Sequence, residues 1–192
     1  MKKYLLILIT MALPILLSAQ VQTWKNDPAH SRMGFTIKHL AVSEVAGFFS
    51  DFETTVTYSK ADYSDMNVQV TAKIASINTG IEMRDNHLKT ADFFDAEKFP
   101  EMTFTSTKVE KIDDNNAKLF GNLTLLGVTK AVELQITYNG TVTNPMNNQQ
   151  VAGFKVTGVI NRKDFGMGMG FADNFVGDNV NIIVDAEFNP AQ

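Results

Sequence analysis

The sequence predicts an all-β fold, an eight-stranded antiparallel barrel with one helix near 79–95. Three observations predict it: apolar and polar residues alternate over long stretches, such stretches recur about eight times, and only one segment carries helical punctuation. The alternation is plainest where Met66, Val68, Val70, Ala72 and Ile74 are interleaved with Asn67, Gln69, Thr71 and Lys73. Val132 to Tyr138 and Val180 to Phe188 repeat it. Strands with one buried and one wet face have this period of two, and it favours antiparallel pairing.

Taken in order, the runs fall at about 32–39, 46–59, 65–78, 101–112, 117–126, 130–142, 150–162 and 178–189. Turn residues separate several of them: Asp113-Asp114-Asn115-Asn116, Gly127, and Asn144 to Asn148. In the segment 79–95, Thr79 is placed to cap a helix with Glu82 three residues on, and Pro100 ends the stretch. Eight strands must hide their edges. A closed barrel does so and leaves a lumen that side chains fill or that holds one small ligand. A sandwich is the competing arrangement. An outer-membrane barrel would turn apolar side chains to lipid and polar ones to its lumen, with aromatic girdles at both ends. It is disfavoured here because so many polar partners along the strands are charged (Lys73, Glu133, Lys155, Asp185 and Glu187).

The first 19 residues read as a secretory leader: Lys2-Lys3, an apolar run from Tyr4 to Leu17, then Ser18-Ala19 with a cut after Ala19. The run is shorter than the ~20 residues a spanning helix needs. The expected domains are therefore a signal peptide at 1–19 and one barrel at 20–192, periplasmic or secreted, with no spanning segment in the mature chain. Loss of two lysines leaves 15 basic against 21 acidic side chains. Without a basic block, this balance argues against a nucleic-acid partner. The chain has no cysteine, which excludes both a lipobox and disulfides. Stability must come from a core, and 44% apolar residues with 14 Phe suffice for one.

The densest polar cluster is "MRDNHLKTADFF", residues 83–94. Arg84 and His87 could clamp a phosphate or quinone oxygen, Arg through its bidentate fork. Equally, Arg84 could pair with a neighbouring carboxylate while His87 packs the helix. Catalysis finds little support: there is no Cys and no G-x-S-x-G elbow, and His30, His39 and His87 lie far apart in sequence. The same three histidines lack i,i+2 or i,i+4 spacing, so no metal or other cofactor is expected. His39 shares a strand face with Phe35 and Ile37 and is expected to point inward. Asp164-Phe165-Gly166 is a chance match to the kinase tripeptide, since the accompanying kinase motifs are missing. Gly166-Met167-Gly168-Met169-Gly170 reads as a soft apolar rim. Alternation alone does not separate aromatics that fill a barrel from aromatics that line a tunnel.

Four stretches, in order, carry a resemblance to a known family: Asp27 to Phe52, Arg84 to Ser106, Gly121 to Leu134, and Ile160 to Gly170 with Val176 to Phe188. Together they resemble the YceI-like family of lipocalin-like, periplasmic barrels that bind polyisoprenoid lipids. The resemblance implies an apolar tunnel for an isoprenoid or other long-chain lipid, with no metal and no established reaction. On that basis Phe35, Phe49, Phe104, Leu123, Leu125, Phe154 and Phe165 are expected to meet the ligand, with His39, Arg84 and His87 as polar company. Two other classes stay open: an interaction or stress protein with a vestigial cavity, and an enzyme acting on a lipid-like substrate. Monomer or homodimer is likewise undecided at this stage.

Overall fold

The strands are those an alternating sequence makes, but several are broken in mid-course. The computed structural model describes residues 20–60 and 62–191; the leader expected at 1–19 lies outside the described residues. Eleven strands occur: β1 Gln22–Asn26, β2 Arg32–His39, β3 Ser43–Phe49, β4 Phe52–Tyr58, β5 Asn67–Lys73, β6 Ile77–Asn78, β7 Glu101–Lys111, β8 Asn116–Leu125, β9 Val128–Thr143, β10 Gln150–Asn161 and β11 Val176–Pro190. They make eight staves, because β1 and β2, β3 and β4, and β5 and β6 each lie end to end. Thus β11 pairs with β2 over Val176–Asp185 and with β1 over Phe188–Pro190, while β4 and β3 take the other sides of β1 and β2. The β1–β11 pairing closes the barrel, so the sheet is not split into a sandwich.

Each break is a change of parity. On β3 the inward residues are odd-numbered (Val45, Phe49), whereas on β4 they are even (Thr54, Val56); the switch occurs at Ser50-Asp51. A one-residue slip would otherwise turn the apolar set outward. Outside, ion pairs join neighbouring strands: Lys73 with Glu101, Lys118 with Glu133 at 2.8 Å, and Lys155 with Asp185 at 3.7 Å. The apolar face is the lumen, the reverse of a lipid-facing barrel.

The helix is shorter than predicted. It spans α1, Glu82–Leu88, instead of 79–95, and its N-cap is Ile81 with no side-chain cap bond. Thr79 does not cap it; its hydroxyl donates to Asp85 Oδ1 at 2.6 Å and accepts from Arg84. After Leu88 the Thr90 hydroxyl takes the His87 carbonyl at 2.8 Å. Asp95 then adopts φ 45°, and the chain turns Phe93 and Phe94 toward the lumen instead of continuing the spiral. One end of the barrel therefore carries the β2–β3 turn, the α1 segment and the long β10–β11 connection, and the described ends of the chain lie at the other.

Candidate functional site

The lumen is open. Its cavity has a volume of about 590 Å³, within the usual size of a small-molecule site of about 300–1,000 Å³. The wall is built by inward positions of the staves: Met33, Phe35 and Ile37 of β2; Leu119, Leu123 and Leu125 of β8; and Val180, Ile182 and Val184 of β11 among them. Three inward positions carry glycine instead of a large side chain, and each faces a neighbour lying flat across it. A Cβ at Gly47 would sit 2.5 Å from the Phe35 ring, one at Gly121 2.3 Å from the Phe104 ring, and one at Gly158 2.4 Å from Leu134 Cδ2. Glycine in a strand here marks close approach, and it lets large side chains hug the wall.

Of the residues expected at the ligand, nine line this cavity: Phe35, His39, Phe49, Arg84, His87, Phe104, Leu123, Leu125 and Phe154. Phe165 does not. It lies in the 3-10 turn Arg162–Phe165, 2% exposed, in the core cluster that also holds Phe93 and Met167. The soft rim divides likewise: Met167 is buried on the cavity wall and Met169 is exposed.

The mouth is where wall residues reach solvent, at His87, Phe175 and Lys38. An arc of rings crosses it. His87 meets Phe93 edge-on at 5.2 Å, Phe93 stacks on Phe171 at 5.0 Å, Phe171 on Phe175 at 6.1 Å, and Phe175 contacts His39 at 5.8 Å. His87 is tethered at 3.0 Å to Asp92. Arg84 donates from Nε to Thr79 Oγ1 and from an Nη to the Thr79 carbonyl, both at 2.7 Å. Among the described residues no carboxylate forms an ion pair with it, and its remaining N–H donors are left over at the cavity edge. The carboxylate pairing that the sequence allowed for Arg84 does not form among the described residues; its observed partners are the Thr79 hydroxyl and carbonyl.

Sequence reasoning passed over Arg162, Phe171 and Phe175. Arg162 is 1% exposed. Its donors reach five carbonyl oxygens, of Met167, Gly168, Phe171, Val176 and Gly177, at 2.5–3.0 Å, and Asp178 Oδ1 at 2.9 Å. A buried cation is tolerable only when its charge and donors are met in this way. It shapes the β10–β11 connection that brings Phe171 and Phe175 to the mouth. The signal available in sequence was two phenylalanines four apart in a segment with no strand period.

The polar side chains on the wall are threonines, histidines, Lys38 and the two arginines; no carboxylate is among them in the described residues. Such a cavity can enclose an apolar chain and offer cations to one end of it. Among the described residues, the only group of three or more His and carboxylate side chains close enough to share an ion is Asp27, His30 and Glu187, outside the barrel. His30 Nδ1 lies 2.9 Å from Asp27 Oδ2 and 4.0 Å from Glu187 Oε2. The hydrogen bond to Asp27, with the charges of Asp27 and Glu187, raises the His30 pKa; the same bond and the Ala29 N–H lower that of Asp27.

The sequence matches the YceI-like domain over residues 24–188. The chain belongs to the YceI-like family. A relative in Staphylococcus aureus strain MSSA476, the UPF0312 protein SAS2572, is 38% identical over 167 residues, 85% of this chain and 95% of its own. The YceI protein of Campylobacter jejuni superposes with a TM-score of 0.73 at 37% identity, covering 81% of this chain and 91% of that one. A polyisoprenoid binding domain from Saccharophagus degradans, implicated in plant cell wall breakdown, shares the fold at 15% identity, with a TM-score of 0.63 over 88% of this chain and 98% of that one.

Proposed function

We propose that the protein is exported, is cut after Ala19, and acts as a binding protein that sequesters or carries a polyisoprenoid or similar long-chain lipid in its lumen. The observation that carries this reading is the open apolar cavity of about 590 Å³, kept clear by inward glycines. Family membership supports it, as does the shared fold of the Saccharophagus degradans domain, a protein named for polyisoprenoid binding. Burying a tail is worth about 0.8 kcal/mol per CH₂ before ordering costs, so affinity needs no specific anchor. The aromatic and aliphatic wall holds the tail, and Arg84 with His87 and His39 meets the head group. No catalytic step is assigned to these groups.

The test is native mass spectrometry of protein purified from its own host, followed by lipid extraction, on wild type and Leu123→Asp. Leu123 is 8% exposed on the wall, and an unpaired carboxylate there costs several kcal/mol against a buried tail, on the order of the penalty for an unpaired polar group. Wild type is expected to carry a long-chain lipid from a chain beginning at Gln20, and the folded variant to carry far less. Equal occupancy in both, or an empty wild type, overturns the reading.

A further inference from the structure

The mouth carries exposed apolar side chains, and all of them but Phe175 lie off the cavity wall. Leu40 and Val42 stand on the β2–β3 turn, Ile81 and Met83 at the start of α1, and Met169 and Phe175 in the β10–β11 connection, all exposed. Val42 is 85% and Met83 82% exposed. Three separate segments thus bring their tips to one end of the barrel. They are joined there: Leu40 N–H donates to the Phe175 carbonyl at 3.0 Å, and Thr79, two residues before Ile81, lies on the cavity wall.

The turn itself points the same way. Leu40 and Ala41 have φ 52° and 56°. Two left-handed residues in a hairpin turn ordinarily call for Asn-Gly. Leucine in that conformation is strained, and strain of this sort persists where a feature serves something other than the fold. Here it holds an apolar side chain out in water.

We propose that this end of the barrel docks on a phospholipid bilayer, seating the ring of apolar tips in the interface so that a tail passes between membrane and lumen without crossing water. The proposal rests on the lumen-binding reading. A bilayer fits better than a protein partner, because the tips surround an opening whose interior is as apolar as they are, and a partner seated there would stopper it. Charge is mixed at this end: Lys38 and Arg84 stand beside Glu44, Glu82 and Asp173. Docking is therefore driven by apolar insertion and needs no anionic lipid.

Vesicle flotation with phosphatidylcholine tests it. Val42 and Met83 do not line the cavity, so the double variant V42D/M83D alters the ring and spares the lumen. The full-length mature protein is expected to float with the vesicles, and the double variant to lose at least tenfold in bound fraction while binding a short-chain prenol from solution as wild type does. Orientation gives a second measurement. The single tryptophan, Trp24, lies on β1 at the far end of the barrel. Dibrominated phosphatidylcholine should quench the added indole in a Met83→Trp variant and leave Trp24 unquenched. A wild type that stays down, a double variant that floats equally, or quenching of Trp24 alone overturns docking by the mouth. So does a double variant that changes only the dimer content, which would make the ring an interface between copies. Leu123→Asp separates the two readings: floating without prenol binding supports both, whereas floating with undiminished prenol binding removes the lumen reading and the tail transfer with it, leaving the membrane contact alone.

Discussion

Arg84 and Arg162 both touch the lumen, and their surroundings give them different tasks. Arg162 directs its donors to backbone carbonyls and Asp178, whereas Arg84 binds Thr79 and keeps donors free at the mouth. A charge-assisted hydrogen bond is worth about 1.5–3 kcal/mol, enough to choose a head group but small beside a buried tail. Arg84→Ala should therefore leave binding of an uncharged prenyl chain nearly intact and weaken a phosphorylated analogue roughly tenfold or more. Paired titrations on proteins of equal thermal stability check this; equal losses for both ligands would mean that Arg84 serves only Thr79. His30 offers a pH test away from the lumen. Its pKa is raised above 6.5, so its contribution to stability is complete below 6.5 and disappears as pH rises through the folded-state value. Asp27, lowered below 3.8, contributes fully above 3.8 and ceases to as pH falls through its depressed value. The Tm difference between wild type and His30→Gln should thus be widest between pH 3.8 and 6.5 and should close at higher pH. The difference is expected to be small, because His30 is exposed. A gap that widened from pH 6 to 8 would contradict this assignment.

Among the elements, the β10–β11 connection depends most on a single side chain. Lysine at position 162 would keep the charge but offer three donors to a nest of five carbonyls, and lacks the planar fork. Stranding buried acceptors costs about 1–3 kcal/mol each, so Arg162→Lys should destabilise by several kcal/mol. At about 2–4 °C per kcal/mol for a domain of this size, calorimetry should find a Tm lower by roughly 10 °C. An unchanged Tm would mean that the stacked rings alone hold the connection. Nothing in the sequence announced this role, because a period of two says nothing about a segment without strands. The helix was legible as an element but not in extent. Thr79 and Glu82 have the spacing of a capping box, yet Asp85 competes for the Thr79 hydroxyl, and Phe93 and Phe94 find more burial in the lumen than a continued helix would give them.

At the level of the whole molecule, the antiparallel staves were legible because alternation persists through nearly every one of them. Closure followed from the need to hide eight strands' edges, while the pattern itself suited a sandwich as well. β1 was missed: in Gln22–Asn26, Trp24 is the one large apolar side chain, too few to show a period. The mid-stave breaks were hidden for a related reason, since a change of parity over two residues resembles noise in a long alternating run. Seven of the ten residues expected at the ligand lie on strands and line the cavity wall, because inwardness is what alternation reports; Arg84 and His87 reach the wall from α1, which alternation does not describe. Phe165 misled because it lies beyond β10, where that rule lapses. Whether the lumen was filled or open was beyond the pattern, which gives the direction of each side chain but not the space left between them.

That space is governed by three hydrogens. Where Gly47, Gly121 and Gly158 leave a berth, Phe35, Phe104 and Leu134 recline against the wall. A methyl group in any one berth would force its occupant upright and narrow the bore at that depth. The bore can thus be retuned from positions that do not themselves line the cavity, and a survey of lining residues alone would overlook the positions that set the gauge.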